Sequence, residues 1–375
     1  MTRRERLIRL FKGEAVDRPG IKLWSLTSGQ TLLHPDYRPV YELGMQVTEI
    51  FDGGSCPFNC VLGYEHGRIS QERRQISEEW DEDITTLETG GKKLRSVYRR
   101  SRENKPGYTM EHFVKDEDDL LAILNMPYNT YPADLARYGQ AVARVGDDGI
   151  AMYGLTHPAY AMYDLMGSET LAYMTVESHS LLERTVELFS DRLLAHVGKL
   201  LDAGLVRDGE FLAFGWVGPE LFIPPLISPS DFDCFCSAYD KKLIDLIHDA
   251  GAYAWVHCHG KVRDFLKRFV SMGCDMLNPI EPPPMGDVSL REAFSIVGGK
   301  MALEGNIQIG DIMTATPDEI RFLVDRALSE CDERFVLGLT TGYMEAPIPP
   351  ATMIDNLMLY LRYGYERLQE MARKS

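Results

Sequence analysis

The stretch AYAWVHCHGKV, Ala252 to Val262, decides how this chain reads. It is an apolar run that ends in His257-Cys258-His259-Gly260 and passes into KVRDFLKRFVSMG, whose apolar residues recur at helical spacing. A strand that hands two histidines and a thiol to a loop, followed by a helix, is one unit of a repeated pattern. Upstream, LAFGWVG (Leu212 to Gly218) is a short apolar run. SPSDFDCFCSAYDKKLIDLIHDAG follows it, with Ser228 placed as an N-cap and Gly251 just past the end. Downstream, CDMLNPI, SLREAFSIVGG, KMALEG, TPDEIRFLVDRALSEC, RFVLGLT and PPATMIDNLMLYLRYGYERLQEM continue the alternation. Strand then helix, repeated, implies parallel strands joined by helical crossovers.

The N-terminal half adds GIKLW near Ile21, VTEIF near Val47 and IAMYGL near Met152. With LAFGWV, YAWVHC, DMLNPI, KMALEG and RFVLGLT these make eight strands, which predicts an α/β fold, a (β/α)8 TIM barrel. No GxGxxG follows any strand, so the main sign of a doubly wound sheet is missing. The rhythm breaks over residues 64–124, where ITTLETGGKKLRSVYRRSR reads as two alternating segments around Gly90-Gly91. We expect a β-hairpin insertion there, covering one barrel end within a single domain of residues 1–375. The opening MTRRERLIRLFKGEAVDRPG is expected to be an N-terminal extension carrying a first helix. It contains acids and lacks the apolar core of a secretory signal.

Composition narrows the function. Hydrophobic content of 45% with 26% charged residues is the profile of a soluble globular chain with a full core. A net charge of -16 disfavours nucleic acid, whose phosphates need a positive surface. No apolar run reaches the roughly 18 residues of a membrane span. The seven cysteines are odd in number and scattered, which fits a reducing cytoplasm better than a disulfide framework. The partners expected are therefore a small-molecule substrate, with neither nucleic acid nor membrane. The apolar helix NLMLYLRYGY offers a face for a homodimer.

Catalytic residues of such a barrel stand at the C-terminal ends of its strands. Those ends carry Trp24, His157, Trp216 to Glu220, His257 to His259, Asn278 to Glu281, Glu304 to Gln308 and Thr340 to Glu345. His257 and His259 are two apart, so an extended strand puts both on one face, with Trp255, and turns Cys258 away. Two imidazoles so placed can serve one metal, and a carboxylate beside them suits zinc, with iron or another divalent ion as the alternative. Glu304 and Glu281 end the next two strands, and either could complete the set; we assign Glu304 with His257 and His259 to the metal. Glu281, His157 and Tyr343 are the catalytic candidates, and Trp24, Trp216, Glu220 and Asn306 the substrate contacts. The competing reading is that the histidines only hydrogen-bond substrate or neighbouring carboxylates. Cys258 reads as a packed residue. Cys234 and Cys236 fall two apart in a helix, where side chains diverge. Cys56-x3-Cys60 has no partner pair and reads as loop thiols, and EEWDEDI around Glu78 as a solvated acidic surface.

The opening segment, ISPSDFDCFCSAYDKKLIDLIHDAGAYAWVHCHGKV, GCDMLNPIEP, LEGNIQ and PIPPATMIDNL together resemble uroporphyrinogen decarboxylase-like proteins over nearly the whole chain. That resemblance implies a TIM barrel with its site at the strand C-termini. True decarboxylases carry an arginine-rich segment after the first strand that grips the porphyrinogen carboxylates. Here it reads LWSLTSGQTLLHPDYRPVYE, without the paired arginines. The other branch, the cobamide-dependent methyltransferases, binds zinc through a His-x-Cys motif at this strand and a later cysteine near the last strand. His257 matches that histidine, His259 stands where the family has cysteine, and LTTGYMEA (339–346) has no cysteine. Histidines and a carboxylate leave a metal more Lewis acidic than two thiolates do. The resemblance therefore implies a metal-dependent methyltransferase acting on an oxygen- or nitrogen-bound methyl group, with a corrinoid on a partner protein. The alternative is a decarboxylase-like lyase for a small acid, with Arg38 or Arg68 holding the carboxylate.

Overall fold

The computed structural model describes residues 1–55, 59–63, 68–103, 105–207 and 209–374. Eight parallel strands form the sheet: β1 (Gly20–Lys22), β2 (Ile50–Ser55), β7 (Gly149–Thr156), β8 (Ala213–Val217), β9 (Tyr253–His257), β10 (Met276–Ile280), β11 (Ala302–Ile307) and β12 (Phe335–Leu339). Their order is β1-β12-β11-β10-β9-β8-β7-β2, a nearly closed (β/α)8 barrel. The seam between β1 and β2 is bridged at one point. Glu49 N donates to Ile21 O at 2.8 Å, and the Glu49 carboxylate takes the Ile21 N–H at 2.6 Å.

All eight expected strands are present, and the second is displaced. Val47 closes the helix Arg38–Val47, whose last turn is held by Thr48 N to Gly44 O. The strand begins only at Ile50. RPVYELGMQV buries Val40 and Gly44 one turn apart, a helical period that outweighs the β-branched residues at its end.

Two shells of core separate inside from outside. Helix Arg3–Lys12, capped by Thr2 and ended by Gly13 at φ 69°, sends Leu7, Leu10 and Phe11 against the first residues of the strands. Ile150, Ala213, Met276 and Ala302 receive them. This extension plugs the N-terminal end of the barrel and leaves the C-terminal end open. The second shell lies between the strands and the outer helices.

The insertion is larger than a hairpin. β4 (Trp80–Thr89) and β5 (Lys92–Ser101) turn at Gly90 and Gly91 as expected, both at positive φ, which a tight hairpin turn demands. β3 (Ile69–Gln75) and β6 (Tyr108–Glu111) flank them in a four-stranded antiparallel sheet. The acidic run is not freely solvated. Glu82 is bridged by Arg74 and Arg99, and Asp83 by Arg73 and Arg100, across the neighbouring strands. Cys56 and Tyr64 lie outside the described residues. Among the described residues, no helix is long and apolar enough to cross a membrane.

Candidate active site

The strand ends carry two histidine sites, at β7 and β9, with β8 between them. At the end of β9, His257 Nδ1 meets Asn278 Oδ1 at 2.7 Å. Asn278 Nδ2 donates to Glu304 Oε1, also at 2.7 Å. A carboxylate can only accept, so Asn278 must turn its oxygen toward His257, and the imidazole proton must sit on Nδ1. Glu304 is held in turn by Lys22 Nζ at 2.8 Å and by Trp255 Nε1 at 3.2 Å. Lys22 lies over the Phe51 ring at 3.7 Å and the Trp24 ring at 4.7 Å. Burial, then the neighbouring His259, pushes the His257 imidazole down to about 3, so it is neutral at any ordinary pH.

His259 stands with its ring centroid 4.5 Å from that of His257. Its Nδ1 lies 3.2 Å from Glu281 Oε2. Glu281 also accepts Gly260 N at 2.7 Å and Gln308 Nε2 at 3.2 Å. Burial raises the Glu281 carboxyl, but these donors outweigh it and hold the group below its usual value. Both rings thus use Nδ1 on a fixed acceptor, and among the described residues neither Nε2 has a hydrogen-bond partner. A metal-binding histidine needs that arrangement: a second-shell acceptor on one nitrogen and a lone pair on the other.

His157 is built the opposite way. It caps the helix Pro158–Glu177, where Ala159 N donates to its Nδ1 at 3.1 Å. The proton is therefore on Nε2, which donates to Asp240 Oδ1 at 2.7 Å. Asp240 also takes Trp216 Nε1 at 3.3 Å and Cys236 Sγ at 3.4 Å. His157, Cys236 and Asp240 are buried, with ligand atoms within 4.8 Å of one another, and are the metal-sized group among the described residues. A metal on Nε2 would have to displace the proton that Asp240 now receives while Nδ1 still accepts. Burial also pushes the Cys236 thiol well up. The donor pattern favours a satisfied polar network.

A cavity of about 600 Å³ opens at the barrel mouth, walled by Trp24, Trp216, Trp255, Phe51, Met152 and Tyr160. Its charged members are already paired: Lys22 with Glu304, Asp52 with Arg144, His157 with Asp240. Trp24 and Trp255, both in this wall, pack on the His257 ring at 4.9 and 5.9 Å between centroids. A second cavity of about 790 Å³ is lined in part by His259, Glu281 and Gln308. His257 thus packs on two indoles of the first cavity's wall, and His259 lines the second cavity.

The remaining sequence candidates scatter. Glu304, expected as the third ligand, carries three donors and reaches His257 only through Asn278. It does not form a ligand-sized group with His257 and His259. Tyr343, expected to be catalytic, is fully buried. It stacks edge-on to Tyr37 and its hydroxyl takes Gln30 Nε2 at 2.9 Å, so it packs the last loop and lines neither cavity. Glu220 folds back on Gly218 N at 2.9 Å, and burial raises its carboxyl. Asn306 is buried at the end of β11, with Oδ1 lacking a partner among the described residues. Arg38 is exposed, and Arg68 lies against the hairpin turn, so neither reaches the 600 Å³ cavity. Cys234 is exposed and Cys236 buried, diverging as expected. Lys22, Asn278 and Asp240 were missed. Asn278 ends a strand and so was within the candidate set, but its role depends on which of its atoms faces Glu304.

Comparison with known proteins places the chain in a family. The profile of the uroporphyrinogen decarboxylase (URO-D) family matches residues 141–364, and the chain belongs to that family. A uroporphyrinogen decarboxylase from Prochlorococcus marinus is 22% identical over 222 residues, 54% of this chain and 55% of that one. The chain thus spans about half the length of this curated relative. Another, from Parasynechococcus marenigrum, is 23% identical over 260 residues, 66% of this chain and 67% of that one. Among solved structures, a methyltransferase from Methanosarcina mazei shares the fold, with a TM-score of 0.59 at 16% identity over 98% of this chain and 99% of that one.

Proposed function

We propose that the protein is a metal-dependent methyltransferase that removes a methyl group from a small uncharged substrate bound in the aromatic cavity. The observation that carries this reading is the pair of imidazoles, His257 and His259, each with Nδ1 fixed and Nε2 open. The donor set fits a divalent metal such as zinc, which these two residues would hold. Such an ion supplies Lewis acidity toward the oxygen or nitrogen that carries the methyl group.

The chain's own residues do the rest. Trp24, Trp216 and Trp255 bind the substrate by apolar and stacking contact, in a wall whose charges are already neutralised. Substrates with a free carboxylate meet no unpaired cation among the described residues of that wall, which weakens the decarboxylase-like alternative. The Lys22–Glu304–Asn278 chain keeps the His257 proton on Nδ1. Glu281 does the same for His259. The Asp240 network fixes the Trp216 indole in the wall. The acceptor this reading calls for is a corrinoid on a partner protein docking over the strand C-termini.

The test is elemental analysis of untagged protein, wild type beside His257→Ala/His259→Ala. About one zinc per chain, lost in the double variant, is the expected result and directs the search to methylated substrates with a corrinoid acceptor. No metal in either protein, even after zinc is added, would overturn the reading and leave the histidines to handle substrate directly, as in a lyase.

A further inference from the structure

The 790 Å³ cavity beyond His259 holds two charges that the fold does not use. Arg326, half-buried on the helix Pro317–Glu330, lines it. Among the described residues, its guanidinium has no hydrogen bond or ion pair, and its contact is with the Phe322 ring at 5.9 Å. Asp311, on the helix Ile309–Thr314, lines the same cavity, and its carboxylate likewise has no such partner. Burial raises the Asp311 carboxyl and the field of Arg326 lowers it, so the two groups feel each other without forming a salt bridge.

Elsewhere in this molecule, charges that face cavities are paired directly: Lys22 with Glu304 and Asp52 with Arg144. Partly desolvating two opposite charges without joining them gives up Coulomb energy that contact would return. The third charge in the wall, Glu281, is no competitor, because His259, Gly260 N and Gln308 already occupy it. Beside His259, Gln308 and Thr341, the wall carries apolar residues: Pro282, Pro283, Met285, Ile309 and Leu323. An anion for the guanidinium fork, a cation for the carboxylate and an apolar group for the proline wall complete the site.

We propose that this cavity binds a small zwitterion with an apolar side chain, an α-amino acid, with its carboxylate on Arg326 and its ammonium on Asp311. His259 lines the same cavity, but the two charges that hold the zwitterion are Arg326 and Asp311, not the imidazoles.

The test is isothermal titration of the protein, as purified, with the common apolar L-α-amino acids. For whichever binds most tightly, the matching amine without the carboxylate and the matching acid without the ammonium are titrated too. The expected result is that at least one amino acid binds and that each one-charge analogue binds at least about tenfold more weakly, near 1.4 kcal/mol. Arg326→Gln and Asp311→Asn should each weaken the amino acid to a similar degree. Both side chains are part-exposed, and unchanged melting temperatures would confirm that the variants fold. No binding by any amino acid overturns the proposal. So does an acid or amine that binds as tightly as the zwitterion, or binding that survives both substitutions.

Discussion

His157 and the His257–His259 pair stand at the ends of barrel strands separated only by β8, yet they are protonated on opposite nitrogens. A backbone N–H reaches His157 Nδ1 and drives the proton to Nε2, where Asp240 takes it. Asn278 and Glu281 accept from Nδ1 of His257 and His259 and leave Nε2 open. The same side chain in the same part of the fold becomes a structural anchor in one place and a candidate ligand in the other. What differs is the partner on Nδ1: a donor in one case, an acceptor in the others.

The sharpest way to break this contrast is through metal content. Zinc bound per chain should fall from about one to none in His257→Ala/His259→Ala. It should be unchanged in His157→Asn, and the reverse result would move the metal to the Asp240 cluster. Next in size is the support of the His257 tautomer. Lys22→Met should cost about 3–5 kcal/mol in urea unfolding, because it strands the Glu304 carboxylate in the barrel. Adding Glu304→Gln should recover much of that loss, and a single variant as stable as wild type would mean that the pair does not hold the site.

Asp240→Asn should cost about 1–3 kcal/mol, since donors from His157, Trp216 and Cys236 lose their anionic acceptor. Metal content should stay constant in that variant. The contrast can also be sharpened through pH dependence. The folded His257 pKa is depressed from 6.5 to about 3, so the unfolded chain binds the extra proton throughout that interval. The contribution to stability is complete above the unfolded value. It declines as pH falls through the window, by at most about 1.4 kcal/mol per unit, and is flat below the folded value. Unfolding curves of His257→Asn against wild type should show a shallower acid slope, and parallel slopes would mean that the imidazole is not buried neutral.

Much of the fold was legible because it rests on local pattern. Short apolar runs such as YAWVHC and helices such as TPDEIRFLVDRALSEC repeat with the period that each element imposes. The strand ends could be counted from that rhythm, and they contain both histidine sites. The outer strands of the insertion were not legible. QERRQ and YTME are polar and short, and they become strands only because β4 and β5 offer them edges and arginine–carboxylate pairs.

For the site, alternation along one strand put His257 and His259 on a common face, and the resemblance to a known family put them at a functional strand end. The role of Glu304 could not be read that way. It depends on Lys22, 282 positions away in the chain, whose ammonium reaches its carboxylate at 2.8 Å only once β1 and β11 flank β12. The sequence by itself determined which residues stand at the barrel mouth, because periodicity and strand direction are local properties. Only the tertiary structure decided which nitrogen of each histidine carries the proton, because that depends on whether a donor or an acceptor from a distant segment arrives within hydrogen-bond reach.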